Sequence, residues 1–408
     1  MSSVYKNKCQ VCKSVTKKIF SLGNLPPVND YNSMKNLSEL NYFNTDILFC
    51  KKCCLLQIGS IVDKEILFPK SYPYTSSTTK VLRENFKDLS EKVFKKRILN
   101  SKNDLTLDIG SNDGNLLSNF KGKCRVLGVT PENIGKLAIK RGIPTILDYF
   151  NLKTKNKILK KHGKCNLITA TNVFAHIDEP NEILKNISKL LKKDGVFINE
   201  SHYLIDLLKT NQYDTIYHEH LRYYSLTSLY FFLKKNKFNI FDCERIPTHG
   251  GSIRVYASKS KKFKVSKNVI KILKEEKKYL KQKYLKKFQS QILRSKLSLY
   301  KIIAKINEKN GKICGVSAPS RASTLINYVG LDESLIPYIF EIKGSYKIGN
   351  YMPGTKIEII SEEKIKKINP DYLLIFSWHI KEDLKKVFKK KGFKGKFIIP
   401  LPQPKIEA

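Results

Sequence analysis

Apolar and polar positions alternate through Leu105, Leu107 and Ile109, break at the turn GSNDG, and resume at helical spacing through Leu116, Leu117 and Phe120. Period-two alternation marks a strand and 3.6-residue recurrence a helix, so residues 105–120 read as strand, tight turn, helix. Four further strands follow in CRVLGVTPEN, PTILD, CNLITATNVFAHI and the end of NEILKNISKLLKKDGVFINE. Before the last of these, Ile183, Leu184, Ile187, Leu190 and Leu191 predict a helix that stops at Gly195. FNIFDCERI and GSIRVYA predict an antiparallel pair joined by PTHG. A parallel sheet wound this way brings a ligand to the carboxyl end of its first strand, where Asp108, Gly110, Asp113 and Gly114 offer acceptors and a tight backbone.

The rest of the chain repeats the logic on a smaller scale. Residues 259–309 are Lys-rich with apolar residues at helical spacing (Val269, Leu273, Leu280, Leu285, Phe288, Ile292, Leu297, Ile302), which predicts one or two amphipathic helices with a solvated basic face. KICGVSAPSRASTLINYVGL then reads as strand, polar turn and a helix from Arg321. A cation at a helix start is out of place unless an anion sits there, so Arg321 predicts a phosphate neighbour, the alternative being an exposed side chain. A Gly/Pro loop with Lys347 and Tyr351, two more apolar strands and a helix complete a second α/β unit. A ligand cleft is expected between it and the middle unit.

Bulk properties change the picture little. At 408 residues, 41% hydrophobic and 11% aromatic, the chain is globular and large enough for two or three domains. No apolar run is long enough to span a membrane, and the start MSSVYKNKCQ lacks an apolar signal core, so a cytoplasmic protein without a membrane partner is expected. The net charge of +40 would suit a nucleic-acid binder. The lysines are scattered along nearly every segment rather than grouped, however, so a compositional drift is the preferred reading and a nucleic-acid partner is not expected.

The nine cysteines do change it. Cys9-x-x-Cys12 and Cys50-x-x-Cys53 are two thiolate knuckles with the spacing that lets each pair face one tetrahedral metal. A structural Zn2+ site is expected, with no catalytic role because four thiolates leave no open position. Buried free thiols are the alternative, and Cys54 is read as a packed fifth thiol.

Two of the seven histidines flank a glutamate in IYHEHLRYYS, residues 216–225. That block in its longer form DTIYHEHLRYYSL, with LDIGSNDGNLL, ATNVFAHI, ERIPTHGGSIRVYA and GNYMPGT in the same order, resembles the sugar C-methyltransferases that act on nucleotide-linked 4-keto-deoxyhexoses. The early cysteine pairs with PPVN resemble that family's zinc-binding amino-terminal domain. The resemblance implies an α/β protein of three parts: a zinc-binding domain (1–68), a class I methyltransferase domain of Rossmann-like fold (69–257), and a helical connection with a smaller Rossmann-like α/β domain that helps hold the nucleotide sugar (258–408). It implies S-adenosyl-L-methionine as cofactor, a nucleotide-linked keto-deoxysugar as substrate, and a monomer or homodimer. It places the base on His220, support on Tyr217 and Glu219, and further site residues on His176 and Tyr74. Cofactor contacts fall on Asp108, Gly110, Asn112, Asp113, Gly114, Thr130 and Asn172. Substrate contacts fall on His249, Gly250, Ser252 and Arg254, joined by Arg321, Lys347 and Tyr351. His218 is expected to be structural.

The residue types suit the chemistry. A ketone acidifies the neighbouring C–H, and a histidine titrates near the working pH and can take that proton. Tyrosine hydroxyls can donate to the developing enolate oxygen. One position departs from the pattern: Thr130 stands where an acidic residue usually grips the cofactor ribose, and Glu132, in the expected first turn of the next helix, would have to reach back. Asn166 is a lesser departure. The departure keeps two alternatives open, an epimerase, isomerase or binding protein on the same scaffold, and a zinc-ribbon nucleic-acid binder.

Overall fold

The computed structural model describes residues 2–31, 41–68, 77 and 79–408. Three larger sheets and one two-stranded ribbon organise the described residues. The amino-terminal sheet is antiparallel, in the order Arg222–Tyr223, Leu56–Ile58, Phe43–Phe49, Lys17–Leu25. Its edge strand therefore comes from the chain immediately after His220. Beside it, Ser3–Tyr5 pairs with Ser60–Val62.

The central sheet has seven strands, in the order Asn239–Ile246, Ser252–Ser258, Leu191–His202, Cys165–Thr171, Leu105–Ile109, Arg125–Val129, Thr145–Ile146. Ser252–Ser258 runs antiparallel to both neighbours, and the five strands from Leu191–His202 onward are mutually parallel. Every residue of Leu105–Ile109 is buried, polar ones included, because helices cover both faces of such a sheet. On one face the helix Lys80–Lys95 lays Phe86, Leu89 and Val93 against Leu116, Phe120, Ile198 and Tyr256.

The Lys-rich stretch forms two helices, Lys267–Glu276 and Gln282–Asn307. The first is anchored by buried Glu276, whose carboxylate accepts from the Leu226 and Thr227 backbone N–H groups at the start of helix Leu226–Lys235 (2.6 and 2.7 Å). That is the arrangement a helix N-terminus favours. The second sets Phe288 edge-on against Phe20 of the amino-terminal sheet. The carboxyl-terminal sheet runs Glu358–Ser361, Tyr338–Glu341, Ile313–Val316, Tyr372–Ile375, Lys396–Ile399, Lys405–Glu407, parallel except for the last strand. Its helix Ser320–Val329 packs toward the middle domain, with Tyr328 edge-on to Tyr213 (5.4 Å). No helix of the described residues is long and apolar enough to cross a membrane.

Candidate functional site

The two cysteine knuckles meet. Cys9 and Cys53 sulfurs lie 3.5 Å apart, Cys12 and Cys50 sulfurs 3.4 Å apart, and all four within 4.8 Å of one another. Tetrahedral Zn–S bonds of about 2.3 Å would set neighbouring sulfurs roughly 3.8 Å apart, so the quartet fits zinc. The hydrogen bond from Cys53 draws the Cys9 thiol below its ordinary range. Cys54 stands beside the cluster in a left-handed backbone conformation (φ 57°).

At the carboxyl end of Leu105–Ile109 the turn is built as its glycines require. Gly110 (φ +73°) and Gly114 (φ +78°) lie where L side chains are strained, and a Cβ on Gly110 would come within 2.3 Å of Val173. Asn112 (φ 49°) and Asn172 (φ 57°) are left-handed as well, Asn172 at the end of the neighbouring strand Cys165–Thr171. Asp108 is buried beneath the turn, accepts from the Thr169 hydroxyl (2.6 Å), and is pushed up to about 7 by burial. It is a buttress under the turn. The Asp113 carboxylate is fully buried and paired with Arg141 (3.2 Å), so it too braces the turn.

Glu132 does reach back. Its carboxylate accepts a hydrogen bond from the buried Thr130 hydroxyl at the end of Arg125–Val129. It does so from a turn ahead of helix Gly135–Lys140 and not from the helix itself. A carboxylate is therefore present at this strand end, two positions later than expected. Left-handed backbone at two adjacent strand ends, with a carboxylate at the third, fits a nucleoside-bearing cofactor.

His220 belongs to the middle domain, next to Glu219, which contacts the amino-terminal domain, and six residues after Asp214, which contacts the carboxyl-terminal domain. Its Nδ1 lies 2.8 Å from the Thr215 carbonyl. A carbonyl only accepts, so Nδ1 carries the proton and Nε2 keeps its lone pair. The ring stacks on buried Tyr217 (4.2 Å between centroids, 30°) and has His176 and His202 at 5.1 and 6.0 Å. Burial, then His176 and His202, hold it well below the usual histidine range, so the ring is neutral and its basicity is held down, while the tautomer leaves the Nε2 lone pair free. His176 is fixed through Nδ1 to the Glu219 carbonyl (2.5 Å) and faces Phe68; burial lowers it to about 4. His202 donates from Nε2 to the His249 carbonyl (2.7 Å) and is lowered to about 3 by burial and then by Arg321. His249 holds a left-handed conformation (φ 57°), and its buried Nε2 has no hydrogen-bond partner among the described residues.

Several expected residues have other work. The Glu219 side chain accepts from Asn29 (2.7 Å) in the amino-terminal domain, whose Oδ1 accepts from Ser320 of the carboxyl-terminal domain (2.8 Å). Tyr31 and Lys347 both donate to the Ala318 carbonyl (2.8 and 2.6 Å), with the Lys347 ammonium over the Tyr31 ring (5.0 Å). The loop containing PPVN thus stitches the outer domains to the histidine block, a role the turn-rich sequence did not reveal. His218 points into the amino-terminal domain, toward the Phe43 carbonyl (3.1 Å).

Two expected phosphate contacts are corrected. Arg254 is fully buried, and all five of its N–H groups are taken inside the fold, by Glu200, Asp88, Glu244 and Asn85, so none is left for a ligand. The anion near Arg321 is an internal one, the buried carboxylate of Asp214 (3.1 Å). The Ser252 hydroxyl is likewise buried and donates to the Thr248 carbonyl (3.1 Å). Gly250 (φ +85°) turns the chain tightly against Gln212, which donates to its carbonyl (2.7 Å). Tyr351 forms a backbone bridge with Glu358, in the loop beyond Lys347. Tyr74 lies outside the described residues.

Comparison with known proteins covers nearly the whole chain. Residues 9–68 match the family described as "Putative zinc binding domain", 78–242 a methyltransferase domain, and 247–402 the C-methyltransferase C-terminal domain. The C-methyltransferase NovU of Streptomyces niveus is 30% identical over 372 residues, spanning 89% of this chain and 87% of that one. Among solved structures, the magnesium protoporphyrin IX methyltransferase of Synechocystis PCC 6803 is 13% identical over 47% of this chain and 91% of its own, with a TM-score of 0.35. An S-adenosylmethionine-dependent methyltransferase of Clostridium acetobutylicum is 16% identical over 45% and 93%, with a TM-score of 0.33. Family membership rests on the family models and the Streptomyces relative.

Proposed function

Since the chain belongs to the S-adenosylmethionine-dependent C-methyltransferases with a zinc-binding amino-terminal domain, we propose that it methylates a carbon beside the ketone of a nucleotide-linked keto-deoxysugar, with His220 as the base. The observation that carries this reading is the His220 tautomer. Nδ1 is occupied by the Thr215 carbonyl, and Nε2 keeps a lone pair in a half-buried pocket between Tyr217, His176 and His202.

Nε2 takes the proton from the carbon next to the ketone, and the C–H electron pair moves into a carbon–carbon double bond as the ketone oxygen gains negative charge. The Tyr217 ring holds the imidazole flat, and burial of the surrounding side chains keeps water from reprotonating the carbon. S-adenosylmethionine supplies an electrophilic methyl group on a positively charged sulfur. The turn at residues 110–114, Asn172, and the Thr130–Glu132 pair would hold its nucleoside. The half-buried Lys347 ammonium and the left-handed His249–Gly250 turn flank the region between the middle and carboxyl-terminal domains, and support placing the substrate diphosphate there.

The test is methyl transfer from labelled S-adenosylmethionine across a panel of nucleotide-linked 4-keto-deoxysugars. The expected outcome is turnover of at least one of them, and a loss of about 10²- to 10⁴-fold in His220→Gln, the usual worth of a general base. Full turnover in His220→Gln would remove the base from His220. No transfer to any keto sugar, by enzyme that binds the cofactor, would remove the substrate class.

A further inference from the structure

The base is held by a carbonyl, and that carbonyl belongs to a short turn that the carboxyl-terminal domain grips from outside. Tyr213–Thr215 is one turn of 3-10 helix. The peptide between Thr215 and Ile216 is fixed at both ends: its N–H donates to the Tyr213 carbonyl (3.0 Å) and its oxygen receives the His220 Nδ1 proton (2.8 Å). The preceding N–H, that of Thr215, donates to the Gln212 carbonyl (3.2 Å) and lies against the Asp214 carboxylate.

Asp214 is buried, with 1% of its surface exposed. From the carboxyl-terminal domain it receives the Arg321 Nε–H (3.1 Å) and the Trp378 Nε1–H (2.8 Å). Arg321 also reaches Gln212 (3.2 Å), which in turn holds the Gly250 carbonyl. One face of helix Ser320–Val329 makes these contacts: Arg321 on Asp214, Thr324 toward the Ile216 carbonyl (3.5 Å), and Tyr328 on Tyr213. Positions 321, 324 and 328 share a helix face by their spacing.

We propose that Asp214 is a positioning residue for His220, through which docking of the carboxyl-terminal domain sets the orientation and tautomer of the base. This rests on His220 being that base. A neutral imidazole populates both tautomers unless a neighbour chooses, and only the Nδ1–H form leaves Nε2 free to accept. Asp214 touches neither the base nor any reacting atom. It holds the turn whose carbonyl makes the choice, and its two side-chain donors from another domain make the choice conditional on domain docking.

The experiment uses the full-length, zinc-loaded enzyme bound to S-adenosylhomocysteine, so that proton abstraction is read alone as deuterium exchange into a turned-over keto sugar. The second readout is the ring nitrogen-15 signature of His220 in histidine-labelled protein. Asp214→Asn is expected to lose the pure Nδ1–H signature and to slow exchange ~30-fold, the scale of a sub-ångström misplacement. KM for the sugar should change by less than about threefold, since the loss is in alignment and not in binding. Trp378→Phe, which removes one donor and leaves the ion pair, should move both readouts the same way by about threefold. If Asp214→Asn does not fold, Trp378→Phe decides by the same two readouts. Exchange within twofold of wild type, or slower exchange with an unchanged His220 signature, would overturn the positioning role. His220→Gln separates the two ideas: if it exchanges normally the base assignment falls, and if it is dead while Asp214→Asn is normal, only the positioning role falls.

Discussion

Two buried arginines, Arg254 and Arg321, face opposite tasks. Arg254 lies in strand Ser252–Ser258, fully buried, with its charge met by Glu200, Glu244 and Asp88 from a strand on each side and the covering helix Lys80–Lys95. Arg321 lies between domains, with its charge met by Asp214, beside the turn that holds His220. Both looked like phosphate ligands in the sequence, and neither has its charge free. The difference is what each network touches: the first ties one domain to itself, and the second ties one domain to the turn that holds His220 in another.

Removing each arginine should split stability from activity. Arg254→Met leaves Glu200 buried without its cation, and breaking a buried ion pair on one side costs about 3–5 kcal/mol. Urea unfolding should show that loss, while turnover per folded molecule holds. Arg321→Met should lower stability by only about 1–3 kcal/mol, because Asp214 keeps the Trp378 N–H and the backbone N–H groups of its own turn, whereas Glu200 keeps Asn85 and faces the like charge of Glu244. Its turnover should fall by about 10²-fold. Equal proportions of stability and activity loss in the two variants would erase the distinction.

Acid separates the two regions next. Burial lowers His176, His218 and His249 to about 4 and His202 to about 3. Each folded-state value lies below the unfolded one near 6.5, so the stabilisation is complete above pH 6.5 and is lost as pH falls toward 4. Each such histidine contributes a slope of about 1.4 kcal/mol per pH unit in that window. Hydrogen exchange should therefore show residues 212–220 and 248–251 losing protection between pH 6.5 and 4, before strand Leu105–Ile109 does. Simultaneous loss everywhere would mean that the histidine region has no stability of its own to lose.

How much of this was legible follows from distance along the chain. The cysteine quartet was readable because each knuckle is local and one metal explains both. The sheet was readable because strand and helix periods are local, as was the His220 block as a unit. The direction of Glu219 was not legible because adjacency in sequence says nothing of it: its carbonyl serves His176 while its side chain reaches Asn29. Arg254 was misjudged because a polar residue in a strand reads as solvent-facing or ligand-facing, whereas helix Lys80–Lys95 covers that face with Asn85 and Asp88. Asp214 opens the DTIYHEHLRYYSL block, but its role was not legible, since its arginine lies 107 residues away and only the packing of helix Ser320–Val329 on the Tyr213–Thr215 turn brings them together.

The rim of the Arg254 network supplies the finest test of the comparison. Lys92 pairs with Asp88 and Glu244 at 2.8 and 2.5 Å, yet its side chain is 35% exposed and the Asp88 side chain 43%. Water and salt screen charges so placed, and exposed pairs are worth about 0–1 kcal/mol. Lys92→Met should therefore lower the unfolding free energy measured in urea by less than about 1 kcal/mol and leave turnover unchanged. Arg254, one hydrogen bond further in and touching the same two carboxylates, should show several times that loss, because desolvation and not the number of contacts sets the scale. If Lys92→Met instead destabilises as strongly as Arg254→Met, the carboxylates, the lysine and the arginine act as one cooperative unit. The contrast with Arg321 would then lie in connectivity and not in burial.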